Sequence, residues 1–122
     1  MADTTGRRDV RQDVRQGTLD LLVLRVVALE PTHGYRIAQR IQQISQNAFL
    51  VRQGSLYPAL HRLEEQGWLK ASWQDTDQGR ETKVYAITRA GRKQLESEHE
   101  AWRRFVQAMS LVLDGPARPD PA

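Results

Sequence analysis

Between Gly67 and Thr88 the spacing of apolar residues changes, and that change sets what this chain can fold into. Leu69, Ala71 and Trp73 alternate with Lys70, Ser72 and Gln74, and Lys83, Tyr85 and Ile87 alternate with Thr82, Val84 and Ala86. A period of two places alternate side chains on opposite faces of a strand. Residues 75–80, grouped around Gly79, carry the composition of a turn. The pattern predicts one β-hairpin with a polar tip, from which Arg80 and Lys83 can project. Everywhere else the period is helical. The expected class is therefore mainly α with a small β-hairpin (α+β).

Before the hairpin, three helices are expected. Residues 19–29 are apolar almost all round, interrupted by Asp20 and Arg25. A helix greasy on every side is buried on every side, here against the domain core and a second subunit. Thr18 is placed to cap it and Pro31 to end it. His33-Gly34-Tyr35 opens the second helix, with Ile37, Ala38, Ile41 and Ile44 as its core stripe. A short strand is expected over residues 49–51. Residues 54–69 hold the third helix. Leu56, Leu60 and Leu63 give it an apolar face, Ser55 can cap it, Pro58 falls in its first turn, and Gly67 suits its C-terminal turn. The other face offers Tyr57, His61 and Arg62, with Arg52 and Gln53 just upstream. Such side chains suit phosphates and base edges. They gather at the N-terminal end, the end that a recognition helix inserts.

After the hairpin, Thr88 can cap a last helix over residues 89–113. About 25 residues span about 37 Å, longer than so small a domain requires. Leu95, Trp102, Phe105, Val106, Met109, Val112 and Leu113 form a stripe near heptad spacing. Left bare, it would be a large hydrophobic patch, and burial in a dimer is the economical answer. The N-terminal sixteen residues are polar and contain a tandem Asp-Val-Arg-Gln repeat at 9–12 and 13–16. The repeat is open to two readings: a short helix docked on a partner subunit, or a basic arm touching DNA. Residues 1–8 are expected to be a disordered leader, and 114–122, with three prolines, a disordered tail.

Composition bounds the chemistry. A chain of 122 residues suits one domain. The absence of cysteine excludes disulfides and thiolate catalysis. A net charge of +3 leans toward a polyanionic partner without establishing one. No apolar run approaches the roughly 20 residues of a membrane span, and the N-terminus has no apolar signal core, so a cytoplasmic protein is expected. His33, His61 and His99 lack metal-ligand spacing. Glu64-Glu65 and Glu96, Glu98 and Glu100 read as solvated helix faces. No nucleophile or phosphate-loop motif is present. Neither enzymatic activity, a metal nor a cofactor is expected.

Three helices followed by a hairpin make a winged helix-turn-helix. The runs Gly17-Thr18-Leu19-Asp20-Leu21-Leu22, His33-Gly34-Tyr35, Gly54-Ser55-Leu56-Tyr57-Pro58-Ala59-Leu60-His61-Arg62-Leu63-Glu64 and Tyr85-Ala86-Ile87-Thr88 with Gly91 resemble the PadR family of transcriptional regulators. The likeness is closest to the small, acidobacterial-type subgroup that ends in one long helix. The chain departs from it in having a single aromatic, Tyr85 after Val84, in the second wing strand, and a longer leader. The resemblance implies a homodimer that represses transcription from an inverted-repeat double-stranded DNA operator. It also implies a third helix in the major groove, a wing near the backbone, and a long helix in the dimer. Sensing of phenolic acids or cationic drugs is common in the family. The residues that do so match no motif here, so the small-molecule effector stays unknown.

The expected organisation is a polar extension over 1–16, a winged helix-turn-helix over 17–88, a dimerisation helix over 89–113 and a tail over 114–122. Arg52, Gln53, Ser55, Tyr57, His61 and Arg62 are the expected DNA face. Tyr35 and Arg40 are backbone contacts from the second helix, with Tyr35 equally suited to packing. Arg80 and Lys83 are phosphate contacts from the wing. Leu22, Val26, Leu95, Trp102, Phe105, Val106, Met109, Val112 and Leu113 are the expected dimer interface. The alternative is a winged-helix protein-interaction module without specific DNA binding.

Overall fold

The computed structural model describes residues 12–13 and 16–116. Helix α1 (Gln16–Leu29) is the centre of the core. Leu19, Val23, Leu24, Val26 and Val27 are all at most 3% exposed, and α2, α3, α4 and the sheet all pack on it. This is what a helix apolar on every side requires. The helix begins at Gln16, so Thr18 lies inside its first turn and is not its cap. Boundary residues of helices are separated by small energies, and a good cap residue alone does not fix them.

Strand β1 (Gln12–Asp13) pairs in parallel with β3 (Phe49–Leu50). Gln12 and Asp13 are therefore extended and not helical. The rest of the tandem repeat up to Arg15, the leader, and the tail beyond Pro116 lie outside the described residues. Strand β2 (Thr32–His33) follows Pro31 and pairs with the hairpin, Thr32 with Tyr85 and His33 with Val84. Two residues are too few to show alternation, and the sequence did not signal them.

Helix α2 (Gly34–Ile44) is started by His33, whose Nδ1 accepts from the Arg36 amide at 3.4 Å. Ile37 and Ile41 reach the core, but Ile44 is 61% exposed and does not belong to the stripe. The helix ends there: Gln46 and Asn47 both take positive φ, 55° and 68°, and the chain then returns Phe49 and Val51 to the edge of the core. Helix α3 (Gln53–Glu65) buries Leu56, Ala59, Leu60 and Leu63. It starts before Ser55: Arg52 occupies the cap position, and the Ser55 and Leu56 amides already donate to its carbonyl. Ser55 is therefore not the cap, and Pro58 lies inside the helix, past its first turn. At the other end Gly67 adopts φ 79°. The Gly67 amide donates to the Glu64 carbonyl and the Trp68 amide to that of Leu63, both at 3.0 Å, the paired bonds of a Schellman ending.

Strands β4 (Leu69–Asp75) and β5 (Glu81–Ile87) pair antiparallel from Leu69 with Ile87 to Asp75 with Glu81. Sheet order is β2-β5-β4. The hairpin closes on Thr76, whose amide donates to the Arg80 carbonyl at 2.7 Å and whose hydroxyl accepts from the Arg80 amide at 3.2 Å, with Gly79 at φ 77°. Helix α4 (Arg89–Leu113) is latched to the end of α3. The Thr88 hydroxyl accepts from the Gly91 amide at 3.0 Å and donates to the Gly67 carbonyl at 2.6 Å. Gly91 lies so close to the Trp68 carbonyl that any β-carbon would overlap it. Leu95 packs against the core; from His99 onward every described residue is exposed. The result is a mainly helical winged helix with a small antiparallel sheet. No helix among the described residues is long and apolar enough to cross a membrane.

Candidate nucleic-acid interface

The core face of α3 leaves an opposite arc of exposed residues: Arg52, Gln53, Gly54, Ser55, Tyr57, Pro58 and His61. Most lie in the N-terminal half, where the helix presents amide donors and the positive end of its dipole. His61 is set against Glu65 one turn on, at 3.4 Å, with both side chains well exposed.

Arg62 is not on this arc. Its guanidinium lies 2.9 Å from Asp20 of α1, and the two side chains are 35% and 22% exposed. The pair joins α3 to α1 across 42 residues of sequence. Burial pushes the Asp20 carboxyl up from its usual value, and the hydrogen bond and charge of Arg62 offset that only in part. Desolvation outweighs the single ion pair. Arg62 therefore links α3 to α1 beside their apolar contact.

Tyr57 has two surfaces. It is 44% exposed, yet its ring lies along the first residue of α2. A β-carbon on Gly34 would stand 2.9 Å from Tyr57 Cε1 and 3.1 Å from its hydroxyl oxygen. This explains the glycine in His33-Gly34-Tyr35: only a bare backbone admits the ring, and the contact fixes α2 against α3. The neighbouring Tyr35 is 54% exposed. Arg40 is held by Glu30 at 2.7 Å, which ties α2 to the end of α1. With Arg36, Gln39, Gln43 and Ile44, Arg40 lines a shallow polar groove on the outer side of α2. Arg36 was not singled out in sequence; its spacing one turn before Arg40, off the Ile37 and Ile41 stripe, is the signal that could have done so.

On the wing, Lys83 lies 3.5 Å from Glu64 of α3, and its ammonium sits 5.5 Å from the centre of the Tyr85 ring. Burial pushes the Tyr85 hydroxyl up in pKa, against the opposing effect of Lys83. Arg80 is exposed where the hairpin turns. The structure thus gathers the exposed residues of α3 in its N-terminal half, and spends part of the charge of Arg40, Arg62 and Lys83 on joints between elements.

The expected interface residues divide likewise. Val26 is 3% exposed within the single chain and packs in its own core. A helix apolar all round did not reveal which side its neighbours would cover. Leu22 and Leu95 line a groove of about 380 Å³ between α1 and α4, with Thr18, Arg25, His99 and Trp102 among the other walls. Trp102, Phe105, Val106 and Met109 are 41–55% exposed, and Val112 and Leu113 are 80% and 70%. Trp102 and Phe105 stack at 5.7 Å between ring centres. Among the described residues nothing buries the stripe fully: each of its members from Trp102 on keeps 41% or more of its surface exposed.

Comparison with known proteins agrees with this architecture. Residues 23–97 match the model of the transcriptional regulator PadR-like family. The transcriptional regulator Rv3488 of Mycobacterium tuberculosis is 34% identical over 90 residues, 74% of this chain and 80% of that one. The crystal structure of smu.1704 from Streptococcus mutans aligns with a TM-score of 0.75 at 28% identity, covering 89% of this chain and 98% of that one. The PadR-like transcriptional regulator of Bacillus cereus aligns at 0.71 and 25% identity, covering 82% and 95%. The family model spans more than half of the chain, over the helices and wing just described, and the chain belongs to the PadR-like family of transcriptional regulators.

Proposed function

We propose that the protein is a homodimeric repressor that binds an inverted-repeat operator in double-stranded DNA. The observation that carries this reading is the exposed arc of α3, Arg52 to His61, braced from three sides. Arg62–Asp20 sets it against α1, Tyr57 on Gly34 against α2, and Lys83–Glu64 against the wing. A recognition element must hold its angle to read base edges, and bracing of this kind supplies that. Residues 17–88 form the reading unit, with Gln53, Ser55, Tyr57 and His61 on base edges or phosphates and Tyr35, Arg40, Arg80 and Lys83 near the backbone.

The bare stripe on α4 supports the dimer. Residues 89–113 pair with a second copy through Trp102, Phe105, Val106, Met109, Val112 and Leu113, and the groove edged by Leu22 and Leu95 receives part of that contact. Packing in the dimer is the role assigned to Trp102; an effector between subunits is a further use that the same groove leaves open. The protein works in the cytoplasm, where its operator lies, without catalysis.

Selection of bound duplexes from a random pool tests the reading. It should return an inverted repeat whose half-site centres lie about 34 Å apart, or a multiple of that. A protein that sediments as a monomer, or that enriches no sequence at low salt, would refute it and favour a protein-interaction module.

A further inference from the structure

The large exposed apolar residues fall into two groups. One is the α4 stripe. The others, Leu29, Tyr35, Ile44, Tyr57 and Trp73, lie on α1, α2, α3 and the wing, and the extreme member is Trp73. At 64% it is the most exposed aromatic among the described residues. The dimer stripe does not explain it. Trp73 lies four residues along β4 from Leu69, whose partner Ile87 leads into α4. At about 3.3 Å per residue it stands roughly 13 Å out toward the hairpin tip.

The register says which way it points. Trp73 is paired directly with Lys83, and directly opposed residues share a sheet face with β-carbons about 5 Å apart. Lys83 reaches Glu64 on α3, so that face is the one turned toward the recognition helix. The indole therefore lies on the sheet face turned toward α3, on the side of Glu64 in its last turn, while its strand neighbours Ser72 and Gln74 occupy the other face.

The charge of the wing gives the indole its meaning. Residues 69–87 contain Lys70, Arg80 and Lys83, opposed by Asp75, Asp77 and Glu81. The hairpin carries no net charge, and Lys83 is already partly neutralised. A wing without net charge gains little from the field of a polyanion. A large flat ring with one N–H donor can still cover sugar edges and bond a phosphate or base acceptor.

We propose that Trp73 is a non-ionic DNA contact of the wing, its indole packing on the sugar–phosphate backbone of duplex DNA beside the groove that α3 enters. This rests on the DNA-binding reading above. The test uses the full-length protein and a duplex selected by the wild type from a random pool. Dissociation constants are measured for the wild type, Trp73→Ala and Trp73→Phe at several salt concentrations. 5-Fluorotryptophan labelling gives the indoles separate ¹⁹F resonances, with that of Trp73 assigned by its loss in Trp73→Phe. The expected result is an affinity loss of about tenfold or more for Trp73→Ala, a smaller loss for Trp73→Phe, an unchanged salt slope, and a DNA-induced shift of the Trp73 resonance.

A Trp73→Ala variant that binds within twofold of the wild type, with the resonance unmoved in the wild-type complex, overturns the proposal and leaves hairpin packing as the role of the ring. A fall in salt slope accompanying the affinity loss overturns it too, since the ring would then act by placing Lys83. If the wild type itself binds no duplex at low salt, the DNA-binding reading fails, and this contact with it.

Discussion

Gly34→Ala would put a methyl group where the Tyr57 ring lies. The new β-carbon would stand 2.9 Å from Tyr57 Cε1, and carbon atoms in contact prefer about 3.5–4.0 Å. The ring must retreat by about 0.6 Å or more. Overpacking of this kind costs about 1–3 kcal/mol. Alanine in place of glycine in a helix recovers at most about 1 kcal/mol. The net expectation is a loss of up to about 3 kcal/mol, read as a lower urea midpoint. In a Tyr57→Ala background the obstacle is gone, and Gly34→Ala should be neutral or stabilising by up to about 1 kcal/mol. The four proteins form a double-mutant cycle with an expected coupling of about 1–3 kcal/mol. Gly34→Ala should also weaken operator binding, because the displaced ring carries the α2–α3 joint with it. Additivity of the two substitutions within about 0.5 kcal/mol would show that the ring is not held by Gly34, and the account of the triplet would fall.

Three other outcomes are expected. For Asp20, folding raises the carboxyl pKa, so the native state binds more protons than the unfolded one just above the ordinary carboxylate value. The stability contributed by this residue is fullest in acid and falls as pH rises through the raised pKa. Asp20→Asn should remove that decline, so its stability relative to the wild type should rise across this window in denaturation curves taken at several pH values; a constant difference would contradict the assignment. Trp102→Ala with Phe105→Ala should sediment as a monomer at micromolar concentration and lose operator affinity, while its circular dichroism stays near wild type because both rings are about half exposed in the single chain; a folded dimer would show that α4 is not the main interface. Arg80→Ala should lower the salt slope of DNA binding by about 0.9 and Lys83→Ala by less, since Glu64 is 3.5 Å away; altered sequence preference in titrations on variant duplexes would mean that the wing reads bases.

What could be read from the chain was local. The alternation of the hairpin, the turn at Gly79, the ending at Gly67 and the cap at Thr88 each depend on residues within a few positions, and each stands in the structure. The resemblance rests on short runs of this kind, and the comparisons agree with it on the family over a longer stretch, residues 23–97. Partners distant in sequence were not legible. Arg62 meets Asp20 from 42 residues away and Lys83 meets Glu64 from the next element but one; a helical wheel shows only that Arg62 is off the buried face. Glycines betray close approach only once the other side is known, as with Tyr57 over Gly34 and the Trp68 carbonyl over Gly91.

These long-range pairs bear on how such a protein would hold DNA. Three of the cations expected to meet DNA, Arg40, Arg62 and Lys83, each have a carboxylate within 3.5 Å, and each pair links separate parts of the fold. A cation so engaged presents a weaker field to solvent, and screening at physiological salt reduces it further. The whole chain carries only +3. Binding built this way would gain less from counterion release and more from the fit of a rigid arc and neutral contacts. Loosening a strut should then act differently from removing a contact. Arg62→Ala removes the polar link between α3 and α1 while their apolar packing remains, and should degrade discrimination between operator and unrelated DNA, whereas loss of a phosphate-facing cation weakens both alike.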